Sequence, residues 1–64
     1  MSYYKIPIRE SNNGVQDFWE PDFDGSLSSV RHYNMDDLTC KIETDETPSN
    51  GIELSYDQWM DGSY

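Results

Sequence analysis

Two Asn-Gly dipeptides, Asn13-Gly14 and Asn50-Gly51, punctuate a chain of 64 residues. Asn-Gly supplies the positive φ angles that tight hairpin turns require. Asp24-Gly25, Asn34, Pro48-Ser49 and Gly62 add further turn signals between short alternating segments. A chain that reverses this often is expected to be β-rich and antiparallel.

The alternation supports that expectation. Tyr4, Ile6 and Ile8 alternate with Tyr3, Lys5 and Pro7, the period-2 signature of a half-buried strand. Pro7 has no N–H for a ladder, which places this strand on a sheet edge on at least one side. After the turn at Asn13-Gly14, Val15 to Trp19 can return beside it. Leu38, Cys40 and Ile42 share one face of the clearest strand, Leu38 to Thr44, with Thr39, Lys41 and Glu43 on the other. Ser29 to Asn34 pairs with it through a turn at Met35-Asp36-Asp37, and Ile52-Glu53-Leu54 forms a last short strand.

The period then changes. Ser55 and Gln58 have capping-box spacing, Asp57 sits in the first turn, and Tyr56, Trp59 and Met60 share a helical face. A helix of one or two turns is not stable alone, so Trp59 must dock on the sheet. The predicted fold is α+β and β-rich: one domain over residues 1–64, with a small antiparallel sheet of 3–5 strands and one short C-terminal helical segment. The predicted core is Tyr4, Ile6, Ile8, Val15, Val30, Leu38, Cys40, Ile42, Leu54 and Trp59.

So small a domain has little core to rely on. One cysteine, Cys40, excludes an internal disulfide, and with a single histidine it excludes a four-ligand zinc site. Cys40 reads as a small buried apolar residue in a reducing, cytoplasmic setting. No apolar run reaches the roughly 18 residues of a membrane span, and the N-terminal stretch lacks the apolar region of a signal peptide.

Charge excludes further classes. Thirteen acids face four bases, Lys5, Arg9, Arg31 and Lys41, for a net charge of −9. Nucleic acid and anionic membranes would be repelled, so the expected partner is a basic protein surface. Nine aromatic residues argue against a disordered acidic tail. Catalytic chemistry has few candidates: His32 is the one histidine, and a Cys40–His32 couple has no orienting third group. Asp22-x-Asp24-Gly25 has the start of a calcium loop, but its twelfth position would be Arg31 instead of glutamate. No enzyme activity, cofactor or metal is expected.

Residues 17–25 read DFWEPDFDG, four carboxylates among three aromatics. Aromatics in an acidic frame suit a protein interface, with the aromatics as anchors and the acids as a charged rim. The expected partner-binding residues are Asp17, Trp19, Glu20, Asp22, Asp24, Asp36, Asp37, Glu43, Asp45, Glu46, Glu53 and Asp57. The acids from residue 36 onward come from neighbouring elements and are expected to line one continuous negative face.

In size, acidity and lack of catalytic motifs, the chain is similar to the DNA-mimic inhibitors that bacterial viruses encode. Glu10-Ser11 resembles the Glu-Ser pair with which uracil-DNA glycosylase inhibitors engage their enzyme. The resemblance implies an inhibitor that occupies the basic nucleic-acid-binding surface of a partner enzyme. The alternative is a structural or assembly subunit of a phage particle, because GIELSYDQW resembles the strand-then-helix endings of short tail and accessory proteins. Under that alternative the Pro7-bearing edge strand would join neighbouring subunits or a second copy.

Overall fold

A computed structural model of the chain describes the backbone of residues 1–12 and 17–64, and the side chains of residues 1–11 and 18–64. The elements are β1 (Ser2–Asn12), β2 (Asp17–Pro21), β3 (Ser29–Asn34), β4 (Thr39–Thr44), β5 (Ile52–Leu54) and α1 (Tyr56–Met60). The strands join through antiparallel pairings into one five-stranded sheet, followed by the short helix, as the sequence predicts. The turn expected at Asn13-Gly14 and the core position expected for Val15 lie outside the described residues.

β1 is the spine. Its first half pairs with β4, setting Tyr4 opposite Ile42 and Ile6 opposite Cys40. Tyr3 to Lys5 pair at the same time with β5, and Ile8 to Asn12 pair with β2. The Ile8 N–H donates to the Leu38 carbonyl at 3.0 Å, whereas the Pro7 carbonyl accepts from the Asp22 N–H at 3.0 Å. Successive strand residues address opposite sides, so β4 flanks one side of β1 while β5 and then β2 flank the other. The expected edge position is therefore corrected: β1 is central. Pro7 falls between Lys5, the last residue paired with β5, and Ile8, the first paired with β2. Its missing N–H faces the gap between two partners and deprives neither ladder.

Each face of the sheet carries its own buried cluster. On the first face Tyr4, Ile6, Ile8, Cys40 and Ile42 are buried, with Phe23 and Val30 packed against them. The segments around residues 22–28 and 44–50 are laced together alongside. The Thr44 hydroxyl donates to the Ser26 carbonyl at 2.6 Å, the Ser26 N–H donates to the Glu46 carboxylate at 2.7 Å, and the Asn50 amide donates to the Asp22 carbonyl at 2.9 Å. Gly51 lies so close to the core that a Cβ there would stand 2.5 Å from Ile6 Cγ2. Leu38 is not part of this core. It has φ 56 and is 45% exposed, because the turn leaves the strand alternation there before β4 begins at Thr39.

The second face holds Tyr3, Lys5, Lys41 and Arg31, and α1 docks on it. Ser55 and Gln58 close both bonds of the capping box. Trp59 is only 5% exposed; its ring stacks on Tyr3 at 4.8 Å, and the Arg31 guanidinium sits 5.3 Å from its centroid. Register also sets Lys5 opposite Lys41 and Lys41 opposite Arg31, a row of three cations across β1, β4 and β3. Like charges directly opposite are destabilising unless something answers them. The C-terminal end of α1 does so. Lys41 is 2% exposed, and its ammonium donates to the Gln58 and Asp61 carbonyls at 2.5 Å each. Gln58 is in the last turn of α1, where carbonyls lack intrahelical partners, and Asp61 is its C-cap, whose carbonyl also accepts from the Tyr64 N–H. Lys5 donates to the Tyr64 backbone oxygen at 2.8 Å and pairs with Asp37 at 3.3 Å. The Tyr64 ring lies 5.2 Å from the Lys5 ammonium and 5.5 Å from that of Lys41.

Candidate functional site

The expected partner-binding acids fall into three groups. The first answers why carboxylates and aromatics share DFWEPDFDG. Arg9 on β1 lies opposite Glu20 on β2, and its guanidinium gathers three carboxylates: Asp24 at 2.8 Å, Glu20 at 3.0 Å and Asp22 at 3.3 Å. Asp24 and then Glu20 hold the guanidinium pKa above its ordinary value, while hydrogen bonds from Ser11 and then Arg9 hold the Glu20 carboxyl below its own. These acids bind the protein's own cation. Phe23 packs on the core. Trp19, opposite Glu10, is 37% exposed, and Phe18, opposite Ser11, is also exposed. The Asp17 side chain lies outside the described residues.

The second group is the β3–β4 turn. The Asn34 side-chain oxygen accepts from the backbone N–H of Asp36 and Asp37, at 2.9 and 3.4 Å, and so shapes the turn. Asp37 is exposed but engaged: it accepts from the Thr39 hydroxyl at 2.6 Å and pairs with Lys5, and these two contacts hold its carboxyl below the usual range. Asp36 is exposed, and no ion pair engages it among the described residues.

The third group sits at the end of the sheet where β1 begins. Glu43 lies opposite Tyr3 and Ser29, and Glu53 lies opposite Tyr4, so the two carboxylates leave the sheet from opposite faces of the same end. Asp45 follows Thr44, and its carboxylate stands 3.8 Å from the N-terminal amine. Asp57 is in the first turn of α1, just after β5. Glu46 is nearby in sequence but accepts from the Ser26 N–H. Among the described residues no lysine or arginine side chain forms an ion pair with Glu43, Asp45, Glu53 or Asp57. The length of β4 separates this end from Asp36-Asp37, roughly 15–20 Å at about 3.3 Å per residue. The eleven expected residues whose side chains are described are therefore not brought together; the arrangement keeps one anionic end and spends much of the remaining acidity on internal contacts.

The sequence reading missed the row of cations. Lys41 could be assigned to the Thr39–Glu43 face, but alternation does not say that a helix covers that face. The usable signal was Trp59, whose docking surface had to be one face or the other.

Cys40 is fully buried, and burial pushes its thiol pKa up to about 11, so it is protonated at neutral pH. Among the described residues no cluster of three or more His, Cys, Asp or Glu side chains is placed to hold a metal ion, and no helix is long and apolar enough to cross a membrane. Compared with protein-family models, with curated proteins and with solved structures, the chain finds no match.

Proposed function

We propose that the protein is a non-enzymatic binding module whose anionic end engages the basic, nucleic-acid-binding surface of a partner protein in place of nucleic acid. What carries the reading is the group at the start of β1: Glu43, Asp45, Glu53 and Asp57, without lysine or arginine partners among the described residues. All four Lys and Arg side chains are engaged elsewhere, Arg9 by carboxylates and Lys5, Lys41 and Arg31 by the C-terminal segment. The net charge of −9 is thus left to the exposed acids. Such a surface attracts a cationic groove over long range, with association that weakens as salt rises. Acid clusters that already hold Arg9 and Lys5 take a smaller part than the sequence suggested.

The test compares capture of partners from host lysate at low and high salt, with Glu43→Gln/Asp45→Asn/Glu53→Gln/Asp57→Asn beside the unaltered protein. The expected result is a nucleic-acid-binding protein captured at low salt, displaced by added DNA and lost in the quadruple variant. Recovery of capsid or tail proteins, insensitive to salt and to the substitutions, would replace this reading with that of a particle subunit.

A further inference from the structure

A cavity of about 450 Å³ opens on the second face, beside the row of cations. Lys5, His32, Tyr33, Lys41 and Tyr64 are among its walls, with one carboxylate, Asp36, at the β3–β4 turn. A second concavity of about 340 Å³ adjoins it, shares Lys5, Thr39 and Tyr64, and adds the apolar Ile6, Pro7 and Ile52. Volumes of this order are those of small-molecule sites.

Three observations converge on the larger cavity. Each ammonium has three N–H donors, and Lys5 and Lys41 each engage two acceptors among the described residues, so each retains one. His32 Nδ1 is buried and has no hydrogen-bond partner. Buried polar atoms are nearly always satisfied, and an orphan calls for a missing partner. Finally, β3 departs from regular register between Arg31 and Asn34, and His32 there has φ 57. A bulge re-aims the side chain that it carries, and left-handed backbone at a non-glycine residue is strain that the surrounding structure must hold in place.

We propose that this cavity binds a small organic monoanion, a carboxylate on a planar apolar body. The carboxylate accepts hydrogen bonds from the spare N–H donors of Lys5 and Lys41 and from the His32 ring N–H, and the body lies against the phenol rings of Tyr33 and Tyr64. Burial, with Arg31 and Lys41 nearby, lowers the His32 pKa and keeps the ring neutral, so it presents one N–H. A single negative charge is favoured over two, because the net charge of −9 opposes each added charge while only two spare ammonium donors meet it. The site does not depend on the anionic end and survives if that reading fails.

Benzoate is the probe, titrated into uniformly ¹⁵N-labelled protein and followed by amide and imidazole resonances. The expected result is saturable shifts confined to β1 around Lys5, β3 and its turn, the start of β4 and residues 62–64, and a change at the His32 ring nitrogens. Lys5→Met keeps the stem of the side chain and removes one donor. It should weaken binding about tenfold or more, the scale of a charge-assisted hydrogen bond. His32→Gln, tested in parallel, should also weaken binding, with retained amide dispersion reporting that each variant folds. Absence of saturable shifts in the unaltered protein overturns the proposal, as does unchanged affinity in both folded variants. Inorganic phosphate binding more tightly than benzoate overturns the choice of ligand class.

Discussion

Trp59→Ala tests whether the second face is a true core or a loosely covered surface. An aromatic side chain buries about 150–250 Å², and Trp59 keeps only 5% of its surface exposed. At about 25 cal/mol per Å² that area corresponds to roughly 4–6 kcal/mol. Residual burial in the unfolded chain removes about 10–40% of it, leaving about 3–5 kcal/mol. Core truncations of Trp and Phe fall in the same range, about 3–5 kcal/mol. A 64-residue domain has, at about 0.05–0.15 kcal/mol per residue, a total of roughly 3–10 kcal/mol. The substitution should therefore remove much of the native stability. Urea unfolding followed by far-ultraviolet circular dichroism, with Trp19 fluorescence as a second probe, measures it. With a slope near 1 kcal/mol per molar for so small a chain, the midpoint should fall by about 3 M or more, or the folded baseline should vanish. A loss under about 1 kcal/mol would refute the reasoning. The Tyr3 stack and the Arg31 contact would then be incidental, and α1 would be held on the sheet by the Lys41 bonds to the Gln58 and Asp61 carbonyls.

Two glycines give opposite expectations. A Cβ at Gly51 would meet the Ile6 methyl at 2.5 Å and the Lys5 carbonyl at 3.3 Å, so Gly51→Ala should destabilise by about 1–3 kcal/mol, the cost of overpacking. At Gly25 the obstacle is the Glu46 carboxylate at 2.6 Å, the end of a flexible side chain, so Gly25→Ala should change the urea midpoint far less; an equally small effect at Gly51 would show that the loop over Ile6 can shift freely. His32 gives a pH signature: burial, then Arg31 and Lys41, depress its pKa against the opposing Asp61. The unfolded chain therefore takes up a proton that the folded chain resists, and stability falls as pH drops below about 6.5 towards the lower folded value. Unfolding of the native protein and His32→Gln compared between pH 7.5 and 5.5 should show a decline that the variant lacks, above the region where Asp37, Asp61 and Glu20 titrate; parallel profiles would count against it.

The strands were legible because alternation and turn chemistry are local. Tyr4, Ile6 and Ile8, Cys40 and Ile42, and the Ser55–Gln58 cap sit as their spacing predicts. What escaped the sequence depends on pairing. Pro7 reads as an edge residue because an imide nitrogen has nothing to donate, yet a central strand tolerates it where two partners on the same side leave a gap. Leu38 reads as the first core residue of β4 because alternation carries no record of φ, and the left-handed turn residue leaves the pattern. Glu20, Asp22 and Asp24 read as an outward face because their cation, Arg9, is on the preceding strand and meets them only once β1–β2 register is set.

The same limit hides the role of the basic residues, and here charge and fold become one problem. Without a disulfide, a domain of this size needs some device to hold its last segment against the sheet. Lys5, Lys41 and Arg31 do this by reaching Tyr64, the Gln58 and Asp61 carbonyls, and Trp59 respectively. A carbonyl at a helix end suits an ammonium because neither group then lacks a partner, and the carbonyl contributes no full charge that a third cation would have to balance. Once the cations are committed inward, the exposed carboxylates have little left on the surface to neutralise them. The electrostatic bias of the exterior is thus a consequence of how the tail is fastened, and loosening the tail would return positive charge to the surface.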